Sequence, residues 1–163
     1  MIIVSNTGPL IALAKVDLFH LLKEIGNEVR IPPVVHRELL GKIGSESKYI
    51  DRALNDFIQI TEISLFDKKV EIAAADLDEG EKQAIGLAFT YGRDVLLLMD
   101  DNAGRNAAKK LNIPTTGVIG ILIMAKEKGV VKDVGKIIEE IRCQGYWLSD
   151  ELINIAKKLA KEI

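Results

Sequence analysis

Oxygen-bearing side chains recur in this sequence wherever an apolar run gives way to a helix start. Ser5, Asn6 and Thr7 follow the run that begins at Ile2, Asp100, Asp101 and Asn102 follow VLLLM from Val95, and Thr115 and Thr116, ahead of Gly117, follow Ile113. In an open parallel sheet, ligands bind just past the C-terminal ends of the strands, so residues in these places share one edge. Two glutamates join them by helical spacing. Glu38 lies on the face of Val34 and Val35, and Glu81, in the first turn of its helix, lies on the face of Ala84, Ile85 and Ala88, whereas Glu79 and Lys82 point elsewhere. Such a set suits a hard cation: Mg²⁺ takes oxygen ligands, keeps several waters and needs only one or two direct carboxylates. The ion lowers the pKa of a bound water and stabilises charge on a phosphate in transfer. Carboxylates crowded together without a cation repel one another, so the cluster predicts either a metal or a raised pKa. Each residue also has a plainer reading. Asp78 and Glu81 spell a D-x-x-E capping box. Asp100, Asp101 and Asn6-Thr7 suit helix caps, and Glu38 can reach solvent from a helix end. Caps alone, however, do not require four elements to converge on one edge.

The elements that must position these residues alternate between strand and helix. Short β-branched or apolar runs predict strands at 2–5, 28–31, 95–99 and 113–115, with an edge strand at 57–63. Helices are expected from Pro9, from Asp17 as a cap to Ile25, and from Pro33 to about Leu40. Further helices are expected around 49–56, 67–75, 78–92, 100–110, 116–128 with Thr116 as cap, 132–142 and 150–162. Gly41 to Ser47 reads as a mobile loop. This order predicts an α/β protein with a mostly parallel sheet of about five strands. A single domain over 1–163 is expected, with a core over 1–130 and a helical C-terminal extension over 131–163. On the last helix Leu152, Ala156, Leu159 and Ile163 form an apolar stripe that needs a partner surface.

Bulk properties narrow the classes. The 163 residues, 48% hydrophobic and 28% charged, are globular rather than disordered. No apolar run is long enough to span a membrane, and MIIVSNTG has no basic segment before its apolar stretch, so a cytoplasmic protein is expected. One cysteine and two histidines exclude an internal disulfide and the usual zinc clusters. A net charge of −2 argues against a general nucleic-acid coat but not against an enzyme with an acidic pocket.

Several segments in this order resemble the PIN-domain superfamily, and within it a prokaryotic branch related to VapC-like toxins. They are IIVSNTGPLIALAKVDLFHLL, VRIPPVVHREL, LDEGEKQAIGLA, DVLLLMDDNAGRNAAKKL, PTTGVIGILIMAKEKGVV and GYWLSDELINIAKKL, which together cover nearly all of the chain. The resemblance implies a three-layer α/β/α sandwich and cleavage of single-stranded RNA assisted by Mg²⁺ or Mn²⁺, with an antitoxin protein as a possible partner and a homodimer as the expected assembly. It implies a hydrolase site at Asn6, Glu38, Glu81, Asp100 and Asp101, of which the four acids are catalytic and all five bind metal. Ser5, Thr7, Asn102 and Thr115 support them. Asn6 departs from the pattern, since the superfamily places an acid there. Its amide oxygen can ligate Mg²⁺ but brings no charge and cannot act as a base, so an inactive module that binds RNA or a partner is the alternative. A third class, the receiver or phosphohydrolase type, needs an aspartate directly after the first strand. Arg37, Arg105 and Lys109 are candidate RNA contacts, against the plainer reading of solvated helix faces. Tyr146 and Trp147 suit base stacking, packing of the final helix or a dimer contact.

Overall fold

The computed structural model describes residues 1–42, 44 and 46–163. Along the chain these form β1 (Ile2–Ser5), α1 (Thr7–Lys15), α2 (His20–Ile25), β2 (Glu28–Ile31), α3 (Pro33–Leu40), α4 (Ser47–Leu54) and β3 (Ile58–Ile60). Then follow α5 (Lys68–Ala73), α6 (Glu79–Thr90), β4 (Val95–Leu98), α7 (Asn102–Lys110), β5 (Thr115–Thr116), α8 (Val118–Glu127), α9 (Val134–Cys143) and α10 (Asp150–Leu159). All strand pairs are parallel, in the order β3-β2-β1-β4-β5. The chain therefore winds outward through β2 and β3, then returns to the other side of β1. That reversal puts the topological switch point between β1 and β4, where doubly wound sheets open a crevice.

Alternation along the buried strands feeds two apolar layers. Ile3, Leu96 and Leu98 enter the layer built with α1, α2, α8, α9 and α10. Val4, Val95, Leu97 and Met99 enter the opposite layer with α5, α6 and α7. The result is the three-layer α/β/α sandwich. Val134, Ile138 and Ile141 of α9, with Ile153 and Ala156 of α10, belong to the same layer as Ile3, so the last two helices pack on the body itself. Among the described residues, no helix is long and apolar enough to cross a membrane.

Several expectations are corrected. Asp17 does not cap α2; it takes φ +54° just past α1, where Leu18 N–H donates to Leu13 O at 2.9 Å. That bond closes the end of α1 as a left-handed residue does after a helix. The strand expected at 113–115 moves to Thr115–Thr116. Ile113 N–H is spent on Ala108 O, and Pro114 offers β4 only its carbonyl, to Leu97 N–H at 2.8 Å. Thr116 thereby joins the sheet, and Gly117, which has no capping side chain, takes the cap position of α8. On α10 the buried face runs through Ile153, Ala156 and Ala160, while Leu152, Leu159 and Ile163 of the expected stripe stay exposed, Ala156 alone being buried. Of the loop expected over 41–47, residues 43 and 45 lie outside the described residues, and Ser47 begins α4.

Candidate active site

At the switch point the chain leaves β1 and β4 side by side. Asn6 N–H donates to Leu98 O at 3.1 Å, so Asn6 and Asp100 emerge from adjacent strands at one edge. Asn6 occupies the cap position of α1 but makes no capping bond. Its side-chain oxygen instead faces the first turn of α6. The next residue, Thr7, donates its hydroxyl to Glu38 Oε2 at 2.6 Å, tying the start of α1 to the carboxylate of α3. The other oxygen of Glu38 also turns toward α6. A Cβ placed on Gly80 would lie 2.8 Å from Glu38 Oε1, 3.5 Å from Asn6 Oδ1 and 3.6 Å from Asp78 Oδ1. Three side-chain oxygens from three segments thus meet around one glycine, in a space that a methyl group would fill.

Glu81 stands one residue further along α6. Its carboxyl is pushed up to about 7, chiefly by burial, then by repulsion from Asp78 and Asp101 and by a hydrogen bond with Asp78. Asp78 caps α6 by accepting from Glu81 N–H at 2.8 Å, and Asp101 caps α7 by accepting from Gly104 N–H at 2.8 Å. The capping reading is therefore right for both aspartates. Both also press negative charge on Glu81, so capping and crowding coexist.

Asp100 caps no helix of its own. Its Oδ1 accepts from Val118 N–H at 3.1 Å and so serves α8, whose cap position holds Gly117. Its Oδ2 accepts from the Tyr146 hydroxyl at 2.5 Å. The phenol holds its proton more tightly than usual, first through burial and then through the charge and hydrogen bond of Asp100. A Cβ on Gly117 would run into Asp100 Oδ1 and come within 3.5 Å of Arg105 Nη1, so this close approach requires glycine. In Gly117→Ala the carboxylate is expected to leave Val118 N–H, uncapping α8 at a cost of about 1–2 kcal/mol. Thermal melting should fall by roughly 3–6 °C; an unchanged midpoint would show that the backbone yields instead. From Asp100 a cleft of about 590 Å³ opens between α8 and α10, lined among others by Arg105, Thr116, Tyr146 and Trp147.

The structure thus gathers Asn6, Thr7 and Glu38 around α6, sets Glu81 beside Asp78 and Asp101, and places Asp100 at the mouth of the cleft. Other expected residues fall differently. Ser5 is buried and donates to Asn6 O at 2.8 Å, and Thr115 donates to Ile113 O at 3.0 Å, so both hydroxyls are spent on local backbone. Asn102 and Arg105 line the cleft. Arg37 and Lys109 are exposed in the last turns of α3 and α7 and do not line it. Sequence reasoning did not find Gly80, Gly117 or the role of Tyr146, and it took Asp78 only as a cap. Gly80 beside Glu81 and Gly117 after Thr116, glycines at helix starts next to polar residues, were the available signal.

Among the described residues, no three carboxylate, imidazole or thiol side chains are drawn close enough to hold an ion by themselves. The donors are nonetheless hard oxygens, paired or crowded at one edge, with Glu81 uncompensated. That set fits a divalent cation held by one or two carboxylates, an amide oxygen and water.

A doubly wound parallel sheet with acids at its switch point defines the class of α/β proteins that bind ligands across the strand ends. The family model that matches residues 2–162 is DUF3368, described as a PIN domain, and the chain belongs to this family. Neither the curated proteins nor the solved structures gave a match. PIN domains are generally nucleases that use divalent metals, which gives the chain a nuclease-type fold at that coarse level.

Proposed function

We propose that this chain is an endoribonuclease that cleaves single-stranded RNA with Mg²⁺ or Mn²⁺, as the VapC-like toxin of a toxin–antitoxin pair or a close relative. The observation that carries the reading is the raised carboxyl of Glu81 beside Asp78 and Asp101, at the edge where Glu38, Asn6 and Asp100 also emerge. Acids repelling one another at a ligand-binding edge are what a cation would relieve. Asn6, Glu38, Glu81, Asp100 and Asp101 would hold the ion directly or through water. When bound, the ion supplies a more acidic water and charge stabilisation for the phosphate. The protein's own groups set the geometry. Thr7 fixes one oxygen of Glu38, Val118 N–H fixes one oxygen of Asp100, and Arg105 offers positive charge beside Asp100 for an incoming phosphate. The exposed apolar residues Leu152, Ile155 and Leu159 of α10, beside the same cleft, support a protein partner, either an antitoxin or a second copy.

A second reading is favoured by Asn6 and by the looseness of the acidic set. The chain would then bind RNA or a partner without turnover. Asn6→Asp separates the two. Restoring a charge at the ion's edge is expected to raise Mn²⁺-dependent cleavage by about tenfold, the lower end of what changes around metal ligands typically cost in affinity or activity. Cleavage of a labelled single-stranded RNA measures it, and a variant as inert as wild type would favour the binding module.

A further inference from the structure

We propose that Tyr146 is a positioning residue for Asp100, so that the segment between α9 and α10 completes the acidic site. The proposal deepens the nuclease reading and rests on it for the role of Asp100.

The phenol reaches Asp100 from 46 positions further along the chain and donates to Oδ2 at 2.5 Å. On the other oxygen, Val118 N–H donates at 3.1 Å. A carboxylate gripped at both oxygens by donors on separate elements is held in one orientation. The same hydroxyl lies 3.8 Å from where a Cβ on Gly8 would sit, so it reaches the start of α1 as well as the end of β4. The backbone is arranged for this reach. Gly145 takes φ +95°, a conformation that side chains other than glycine rarely adopt, and Tyr146 N–H returns to Ile141 O at 3.3 Å. Beyond the tyrosine, Ser149 Oγ caps α10, accepting from Leu152 N–H at 3.1 Å. The segment is therefore anchored on both sides of the phenol.

Packing alone does not account for these bonds. Leu148 and the ring of Tyr146 pack on the apolar layer, and a phenylalanine would do the same without a hydroxyl. The hydroxyl instead meets a half-buried carboxylate, an interaction between a neutral donor and a charge that is short and strong. Groups that hydrogen-bond a metal-ligating carboxylate orient it, and their loss typically costs 10–100-fold in metal affinity or activity.

The test compares Tyr146→Phe with Trp147→Ala in the full chain. Trp147 is 83% exposed on the same segment and is not bonded to Asp100, so its variant controls for a general disturbance of the segment. The first readout is the backbone amide resonance of Val118 in the metal-free protein, because that N–H sits on the carboxylate being positioned. Tyr146→Phe is expected to move it and Trp147→Ala to leave it in place. The second is calorimetric Mn²⁺ binding, expected to weaken about tenfold in Tyr146→Phe, with excess Mn²⁺ restoring its cleavage rate. A Val118 resonance unmoved in Tyr146→Phe, or moved equally in both variants, overturns the proposal. Mn²⁺ binding equal to wild type in Tyr146→Phe overturns it as well. If wild type itself binds no Mn²⁺, the metal-nuclease reading fails, and the positioning stands or falls on the Val118 resonance.

Discussion

Asp100→Asn is expected to lower Mn²⁺-dependent RNA cleavage by at least about 100-fold while leaving the fold in place. The asparagine can keep both hydrogen bonds of the aspartate. Its Oδ1 can accept from Val118 N–H as the carboxylate does. Its Nδ2 can donate to the Tyr146 oxygen, because a phenol accepts as readily as it donates. Both bonds become neutral, so the stability cost is about 1 kcal/mol, or roughly 2–4 °C of melting for a chain of this size. What disappears is the charge at the one acid, among the described residues, that follows a strand at the switch-point edge and also lines the cleft. Cleavage of a labelled single-stranded RNA, read beside a thermal melt, separates loss of function from loss of fold. A variant that melts normally and still cleaves within a few-fold of wild type would remove Asp100 from the site.

The second large effect lies at the far end of the chain. Glu162 accepts from Lys126 Nζ at 2.7 Å and from the backbone N–H groups of Val134 and Gly135 at 2.8 Å each. One carboxylate thus satisfies the start of α9 and pins it to α8 from just beyond α10, with a side chain only 16% exposed. Burial works to raise its pKa, and the lysine and the two amides overcome that, holding it down to about 2. A depressed carboxyl contributes stability above its unfolded pKa of about 4.3 and loses it as pH falls through the folded value. Glu162→Gln is therefore expected to cost about 2 kcal/mol at neutral pH, since charged hydrogen bonds are the strong ones. The difference from wild type should shrink between pH 4.5 and 2, because there the wild-type side chain becomes neutral too. Urea unfolding at a series of pH values measures this. A difference that persists unchanged to pH 2 would show that packing, not charge, is what the glutamine disturbs.

How much of this was legible in the sequence depended on how local the signal was. The VLLLM run announced a strand buried on both faces, and the polar residues after β1 and β4 announced the edge. Periodicity put Glu38 and Glu81 on the sides of their helices that approach that edge. The acids were visible because strand ends and helix faces are short-range properties. Tyr146 was not, because nothing near it in sequence says which residue lies across the fold. Gly117 was not, because only the approach of Asp100 gives it a reason. The face of α10 was misjudged because the helix carries two apolar stripes, one through Ile153, Ala156 and Ala160 and one through Leu152, Ile155 and Leu159. Spacing alone cannot choose between them; contact with α8 and α9 does. The strand expected at 113–115 starts two residues later because Pro114 has no N–H to give the ladder, which moved β5 onto Thr115 and Thr116 and left the cap of α8 to Asp100.

As a metal-dependent ribonuclease site, the edge shared by Asn6, Glu38, Glu81 and Asp100 must lose its activity with the ion and regain it with the ion. The most direct measurement follows cleavage of a mixed-sequence single-stranded RNA by the purified protein in Mn²⁺, after chelation, and after Mn²⁺ is returned in excess. Cleavage is expected to stop with chelation and to resume with the ion. Cleavage that continues undiminished in chelator, or no cleavage by either wild type or Asn6→Asp, would contradict it.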